Sequence, residues 1–202
     1  MSQLISPAQR ELEPSFEFDF SSVKLSPEQF KQLCADNPEL RLELTSTGEL
    51  IVMPPAVSKS GLRNFNLSSQ LARWVEEDDS GVGFDSSAGF TLPNAAIRAP
   101  DASWIRRDRW EGFGEEEKEE FAPICPDFVI ELRSPTDRLA TLQAKMQEYV
   151  DNGAQLGWLI DPFERRVYIY RPGREMEVLE DPETVLGDPE LPGFVLNVRE
   201  LW

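Results

Sequence analysis

The sequence predicts an α/β or α+β fold, a mixed β-sheet flanked by helices, and three observations carry that prediction. The run PDFVIELR (126–133) is apolar and β-branched enough for a buried strand. It is followed by the clearest helical segment of the chain, SPTDRLATLQAKMQEYVDNG (134–153), and then by a second apolar strand, LGWLIDP (156–162). Strand, helix, strand over about 127–160 is the pattern of a crossover between parallel neighbours. The segments around it read as hairpins, which makes the sheet mixed. The chain has 202 residues, 40% of them hydrophobic, the size of one domain with a sizeable core rather than two.

In order along the chain, residues 1–22 are polar and irregular and read as a flexible arm, and residues 23–202 as a single domain. LSPEQFKQLCADNPE starts a short helix, with Ser26 as cap, Pro27 in the first turn and Gln29 placed to complete a capping box. LRLELTSTGELIVMPP is a hairpin with its turn at Thr45–Gly48 and Pro54-Pro55 as terminator. From Ser58 to Asp79 the spacing is helical, with Leu62, Phe65, Leu71 and Trp74 as its apolar positions. GVGFDSSAGFTLP gives two short strands and a bend, and RAPDASWIRR another strand with Asp101, Ser103 and Ile105 on one face. DRWEGFGEEEKEEFAPICP is an acidic, partly helical excursion. In 134–153, Thr136 is placed to cap, Leu139, Leu142, Met146, Tyr149 and Val150 form the stripe, and Gly153 closes the helix. RRVYIYRPG, MEVLED and FVLNVREL supply further strands.

Histidine is absent, which excludes Ser-His-Asp and Cys-His catalysis, imidazole bases and His-ligated zinc. The two cysteines, Cys34 and Cys125, form no CxxC pair and read as reduced, buried groups. Neither a secretory leader nor a run of about 18 apolar residues is visible, so the expectation is a cytoplasmic protein with no membrane association.

Three carboxylates fall on predicted strands near turns or apolar runs: Glu43, Asp101 and Glu131. A lone buried carboxylate is costly and needs a cation, hydrogen bonds or a raised pKa. Convergence of two or three on one divalent ion would meet that need, and an oxygen-rich site suits Mg²⁺ or Mn²⁺. Taken singly, each has a structural reading: Glu131 paired with Arg133, Asp101 as a turn residue after Pro100, Glu43 as a solvent-facing hairpin residue.

The ordered motifs RLEL…GELIVMPP, FDSSAGFTLPN, RAPDASWI, PDFVIELRSPTD and KMQEYVDNGAQLGWLIDP resemble the Uma-type family of restriction-endonuclease-like proteins, over roughly residues 25–202. That family is assigned to the PD-(D/E)xK nuclease superfamily. The resemblance implies a restriction-endonuclease-like core and metal-dependent cleavage of DNA phosphodiester bonds. Carried onto this chain, it implies Asp101 and Glu131 as the metal-binding acids and Glu43 as an auxiliary acid. The superfamily's usual lysine, two residues after the second acid, is Arg133 here, which stays protonated and can contact a substrate phosphate but cannot act as a base. The resemblance offers Lys145 in its place, and helical geometry puts Lys145 at the margin of the stripe made by Leu142, Met146 and Tyr149.

Against this stands a net charge of −17, from 37 acidic and 20 basic residues. Such a surface as a whole repels DNA. A local basic cleft, built from arginines such as Arg63, Arg98 and Arg133, would be needed. The alternative is a catalytically inactive nuclease-fold protein acting as a DNA-binding or regulatory module. Cutting both strands of a duplex favours a homodimer with two sites about a twofold axis.

Overall fold

The structure, a computed structural model, describes residues 23–202; the arm expected over residues 1–22 lies outside the described residues. Helix α1 (Pro27–Asp36) starts as its capping box dictates: Ser26 accepts from the Gln29 N–H, and the Gln29 side chain accepts from the Ser26 N–H. Strands β1 (Arg41–Leu44) and β2 (Leu50–Met53) form the expected hairpin, with Glu43 opposite Ile51. Gly48 in its turn takes φ +81°, and a Cβ there would lie 2.8 Å from the Leu25 carbonyl oxygen, so only glycine fits.

Helix α2 (Ser58–Asp78) follows, then β3 (Gly81–Asp85), β4 (Phe90–Thr91), β5 (Ile97–Arg98) and β6 (Ala102–Arg106). The acidic excursion holds two short helices, α3 (Arg107–Trp110) and α4 (Glu115–Lys118). Next come β7 (Phe128–Leu132), α5 (Leu139–Asp151), β8 (Leu156–Asp161), β9 (Arg166–Tyr170) and β10 (Glu177–Glu180). The chain ends with β11 (Thr184–Leu186), β12 (Val195–Asn197) and a 3-10 turn (Val198–Leu201).

Six strands form one mixed sheet in the order β10-β9-β8-β7-β6-β3. Only β7 and β8 run parallel within it, joined by α5 as the crossover. A second sheet has the order β2-β1-β5-β4, and β11 pairs with β12. The mixed sheet is covered on both faces, which explains why β7 and β8 are buried throughout. Leu67, Leu71 and Trp74 of α2 pack with Phe128, Trp158 and Phe194 on one face. Met146 and Tyr149 of α5 pack with Val129 and Leu159 on the other.

Two details differ from the sequence reading. On α2, Leu62 and Phe65 are 59% and 70% exposed, and the buried positions are Ser60, Arg63, Leu67, Leu71 and Trp74. At about 100° per residue these five share one side, so docking Leu67, Leu71 and Trp74 on the sheet rotates Leu62 and Phe65 to the opposite side. On α5, Thr136 is not the cap: the helix begins at Leu139 with no side-chain cap. Asp137 Oδ2 accepts from the Ser134 N–H at 2.7 Å, closing a turn around Pro135 that leaves Thr136 bonded to the Ser134 hydroxyl.

Met146 is fully buried between α5 and the sheet, over the position where Gly157 leaves room for it. Met146→Ala is therefore expected to cost about 2–5 kcal/mol in urea unfolding with an unchanged m-value.

Candidate active site

The strands and α5 bring side chains from distant parts of the chain to one cleft of about 1290 Å³. Ala102 of β6 pairs with Ile130 of β7, so Asp101, one residue earlier, comes alongside Glu131. Both fall on the face of the sheet that α5 covers, because Val129 lies on that face and side chains alternate. Asp101 is anchored to the strand carrying its neighbour: its Oδ2 accepts from the Leu132 N–H at 2.8 Å, and its Oδ1 accepts from Asn64 Nδ2 at 3.2 Å.

Glu43 comes from the second sheet. Leu42 and Leu44 turn to the cluster around Phe30, which by alternation aims Glu43 the other way. There the Lys145 ammonium of α5 stands 2.8 Å from Glu43 Oε1 and 2.7 Å from Glu131 Oε1. Tyr149, one helical turn on, donates from its hydroxyl to Glu131 Oε1 at 3.0 Å. Arg98 donates to Glu43 Oε2 at 3.1 Å and to Glu148 Oε2 at 2.7 Å, and the Ala99 N–H donates to Glu43 Oε1 at 3.1 Å. Glu43, Asp101, Glu131 and Lys145 thus share the cleft.

Four carboxylates, those of Glu43, Asp101, Glu131 and Glu148, share the cleft with the three cations Lys145, Arg98 and Arg41, the last acting on Asp101. Burial is the largest influence on each group's protonation, and the neighbouring charges oppose or add to it. Burial works against the charged form of Glu43, but Lys145 and Arg98 outweigh it and hold this carboxyl below its ordinary value. Glu131 is pushed up to about 7 by burial, against the attraction of Lys145, with Asp101 and Glu43 adding to the rise. Burial also raises Asp101, offset in part by the Leu132 N–H. For Lys145, burial alone would favour the neutral amine, yet Glu131 and Glu43 reverse this and keep it charged above the usual lysine range. Tyr149 is raised by burial and by Glu131 and Glu43, so it remains a hydroxyl donor.

Arg133 is not brought to this group. Its Nη1 lies 2.6 Å from Asp161 Oδ2, and its Nε donates to the Asp137 carbonyl at 3.4 Å. The sequence reading did not assign site roles to Asn64, Glu148 and Tyr149, and Arg98, named there for a basic cleft, is instead paired with Glu43 and Glu148. Tyr149 and Glu148 had a signal, standing four and three residues after Lys145 on one helix. Asn64 had none, since only the docking of α2 brings it to Asp101.

Among the described residues, no group of three or more His, Cys, Asp and Glu side chains is arranged to hold a metal ion. The donors that are present fit a more open site. Asp101 and Glu131 supply carboxylate oxygens, and the buried Asn64 Oδ1 beside them lacks any hydrogen-bond partner among the described residues. A hard cation that keeps several waters, binding through one or two carboxylates and the substrate, suits this set.

The fold is thus a mixed sheet flanked by helices, in which an acid just before β6 stands alongside one on β7 and the crossover helix brings a lysine to the second. Residues 27–199 match the model of the Uma2 family, described as "Putative restriction endonuclease", and the chain belongs to that family. It is similar to a crystal structure of "a putative nuclease belonging to DUF820" from Anabaena variabilis. The two are 26% identical, the match covers 88% of this chain and 97% of that one, and the TM-score is 0.71. No curated protein matches the chain. No helix among the described residues is long and apolar enough to cross a membrane.

Two outcomes follow from the charge balance. Folded Glu131 keeps its proton to about 7, where an unfolded glutamate releases it near 4.5, so this carboxyl lowers stability progressively as pH rises across that window. Carboxyl-carbon NMR of the metal-free protein should show Glu131 titrating near 7. Lys145→Met should destabilise the fold by roughly 3–5 kcal/mol at pH 8, because it leaves Glu43 and Glu131 without their shared cation. In denaturant unfolding at pH 5 the loss should shrink, since Glu131 is then protonated.

Proposed function

We propose that this chain is a nuclease that hydrolyses DNA phosphodiester bonds with a divalent ion, Mg²⁺ or Mn²⁺, held by Asp101 and Glu131. The observation that carries this reading is that Asp101, one residue before β6, comes alongside Glu131 of the antiparallel neighbour β7, with Lys145 2.7 Å from Glu131. When bound, such an ion supplies a water acidified toward neutral pH and Lewis-acid polarisation of the phosphoryl oxygens.

The chain's own residues do the rest. Lys145 is held fully protonated, so it serves as a fixed positive charge for the pentacovalent phosphorane and not as a base. Glu43 is a positioning residue: ionised and buried, it fixes the Lys145 ammonium from the side opposite Glu131. Arg98 keeps Glu43 charged and ties it to α5 through Glu148. Tyr149 orients the Glu131 carboxylate by its hydroxyl. Asn64 orients Asp101, and its unpartnered amide oxygen adds a neutral donor. Residues 23–202 act in this reading as one restriction-endonuclease-like domain, working in the cytoplasm. Two copies about a twofold axis would cut both strands of a duplex.

A second reading, a nuclease-fold module that binds DNA without cutting it, draws on one observation: Arg133, at the usual lysine position, pairs through Nη1 with Asp161 and not with Glu131. Cleavage assays on supercoiled plasmid and labelled oligonucleotides separate the two. With Mg²⁺ or Mn²⁺ the wild type should cleave. Chelator, Asp101→Asn or Glu131→Gln should abolish cleavage, and Lys145→Met should lower it by about 10²–10³-fold. DNA binding without cleavage under every divalent ion would establish the second reading instead.

A further inference from the structure

We propose that Arg63, Arg133 and Phe163 form a nucleotide subsite beside the cleft, with the two arginines taking a backbone phosphate and Phe163 stacking on an unpaired base; this rests on the nucleic-acid reading above. Arg63 lies on the buried side of α2 and is only 6% exposed. Among the described residues no carboxylate lies within ion-pair distance of it, and its Nε has no hydrogen-bond partner. A guanidinium keeps its charge and its five donors wherever it sits, so one buried without a counter-charge is incomplete until an anion reaches it.

Its neighbours are an aromatic ring and a second arginine. The guanidinium carbons of Arg63 and Arg133 lie 5.6 and 5.7 Å from the centroid of the same Phe163 ring. Arg133 is answered by Asp161, which is also spent on the turn it begins: its Oδ1 accepts from the Phe163 and Glu164 N–H groups. Asp161 thus answers Arg133, and Arg63 is left without an acid of its own among the described residues, on a chain of net charge −17. Phe163 remains 46% exposed in the β8–β9 turn, a large apolar surface left open next to both cations.

The spot is continuous with the cleft. Ser60 and Asn64, on either side of Arg63 in α2, line the cleft, as do Ser134 and Asp137, the latter accepting the Arg133 Nε–H through its carbonyl. In the proposed path, a strand with one phosphate at Asp101 and Glu131 has a neighbouring nucleotide over Arg63 and Phe163. Inorganic phosphate would satisfy Arg63 but leave the ring unused, whereas a nucleotide uses both, since bases stack on aromatic rings and phosphates take guanidinium donors. Stacking requires an unpaired base, so the subsite selects single-stranded or frayed segments.

Fluorescence anisotropy with the full-length chain, in chelator to prevent cleavage, tests this with a labelled 12-nucleotide single strand and a blunt duplex of the same sequence. The single strand should bind about tenfold tighter than the duplex. Arg63→Met, which keeps the apolar stem, and Phe163→Ala, at an exposed turn position, should each weaken single-strand binding by about tenfold. Arg63→Met should also flatten the slope of log K against log salt by about 0.7. Phe163→Trp should bind normally and show indole quenching. Single-strand binding that both Arg63→Met and Phe163→Ala leave unchanged overturns the subsite while sparing the nuclease reading. Absence of any oligonucleotide binding also overturns the subsite, while the nuclease reading stands or falls on the metal-dependent cleavage assay above. Displacement of the strand by equimolar inorganic phosphate overturns the nucleotide class.

Discussion

The ammonium of Lys145, held between Glu43 and Glu131, is the contact on which the arrangement of this molecule depends. Glu43 belongs to one sheet, Glu131 to the other, and Lys145 to the crossover helix, so a single buried cation ties three elements far apart in sequence. A buried ion pair gains little net stability, because desolvation offsets attraction, but removing one partner is expensive. The Lys145 contacts therefore fix geometry more than they add stability. Burial raises the proton affinity of Glu131 and Asp101, and at Glu131 the neighbouring Asp101 and Glu43 add to the rise. Those two carboxylates come side by side where β6 begins next to β7, the place proposed above for a divalent ion.

The same contact accounts for a family member without a lysine two residues after its second acid. Arg133 occupies that place but is held by Asp161 near the carboxyl end of the strands, while Lys145 approaches Glu131 from the helix. A cation delivered from a helix along its aliphatic stem reaches the same carboxylate as one from the strand would. The cost is a second anchor: without Glu43 and the Arg98–Glu148 pair behind it, a four-carbon stem would have no reason to hold one position.

Much of the fold was legible because its signals are local. The Ser26–Gln29 capping box, the hairpin turn at Gly48 and the strand–helix–strand run from Phe128 to Asp161 each follow from residues a few positions apart. The apolar side of α2 was misread because its amino-terminal half offers Leu62 and Phe65 as well, and only docking of Leu67, Leu71 and Trp74 decides which side is buried. In the site, the strand acids stood out as charges in apolar surroundings. Asn64 did not, and for Arg98 the acid partner was hidden, since their contacts to Asp101 and Glu43 span 37 and 55 residues and depend on how helices and sheets pack. Arg133 shows the limit of alternation: it lies one residue beyond the end of β7, where the partner is set by the neighbouring β8 rather than by strand periodicity.

The central claim is that Asp101 and Glu131 lie ready to share a divalent ion. Electron paramagnetic resonance of Mn²⁺ titrated into the purified chain measures this without depending on turnover. The account predicts one bound Mn²⁺ per chain, tighter at pH 8 than at pH 6 as Glu131 gives up its proton near 7, and lost in both Asp101→Ala and Glu131→Gln. A free-ion spectrum that the wild-type chain leaves unchanged at millimolar Mn²⁺, or a bound signal that survives both substitutions, would contradict it.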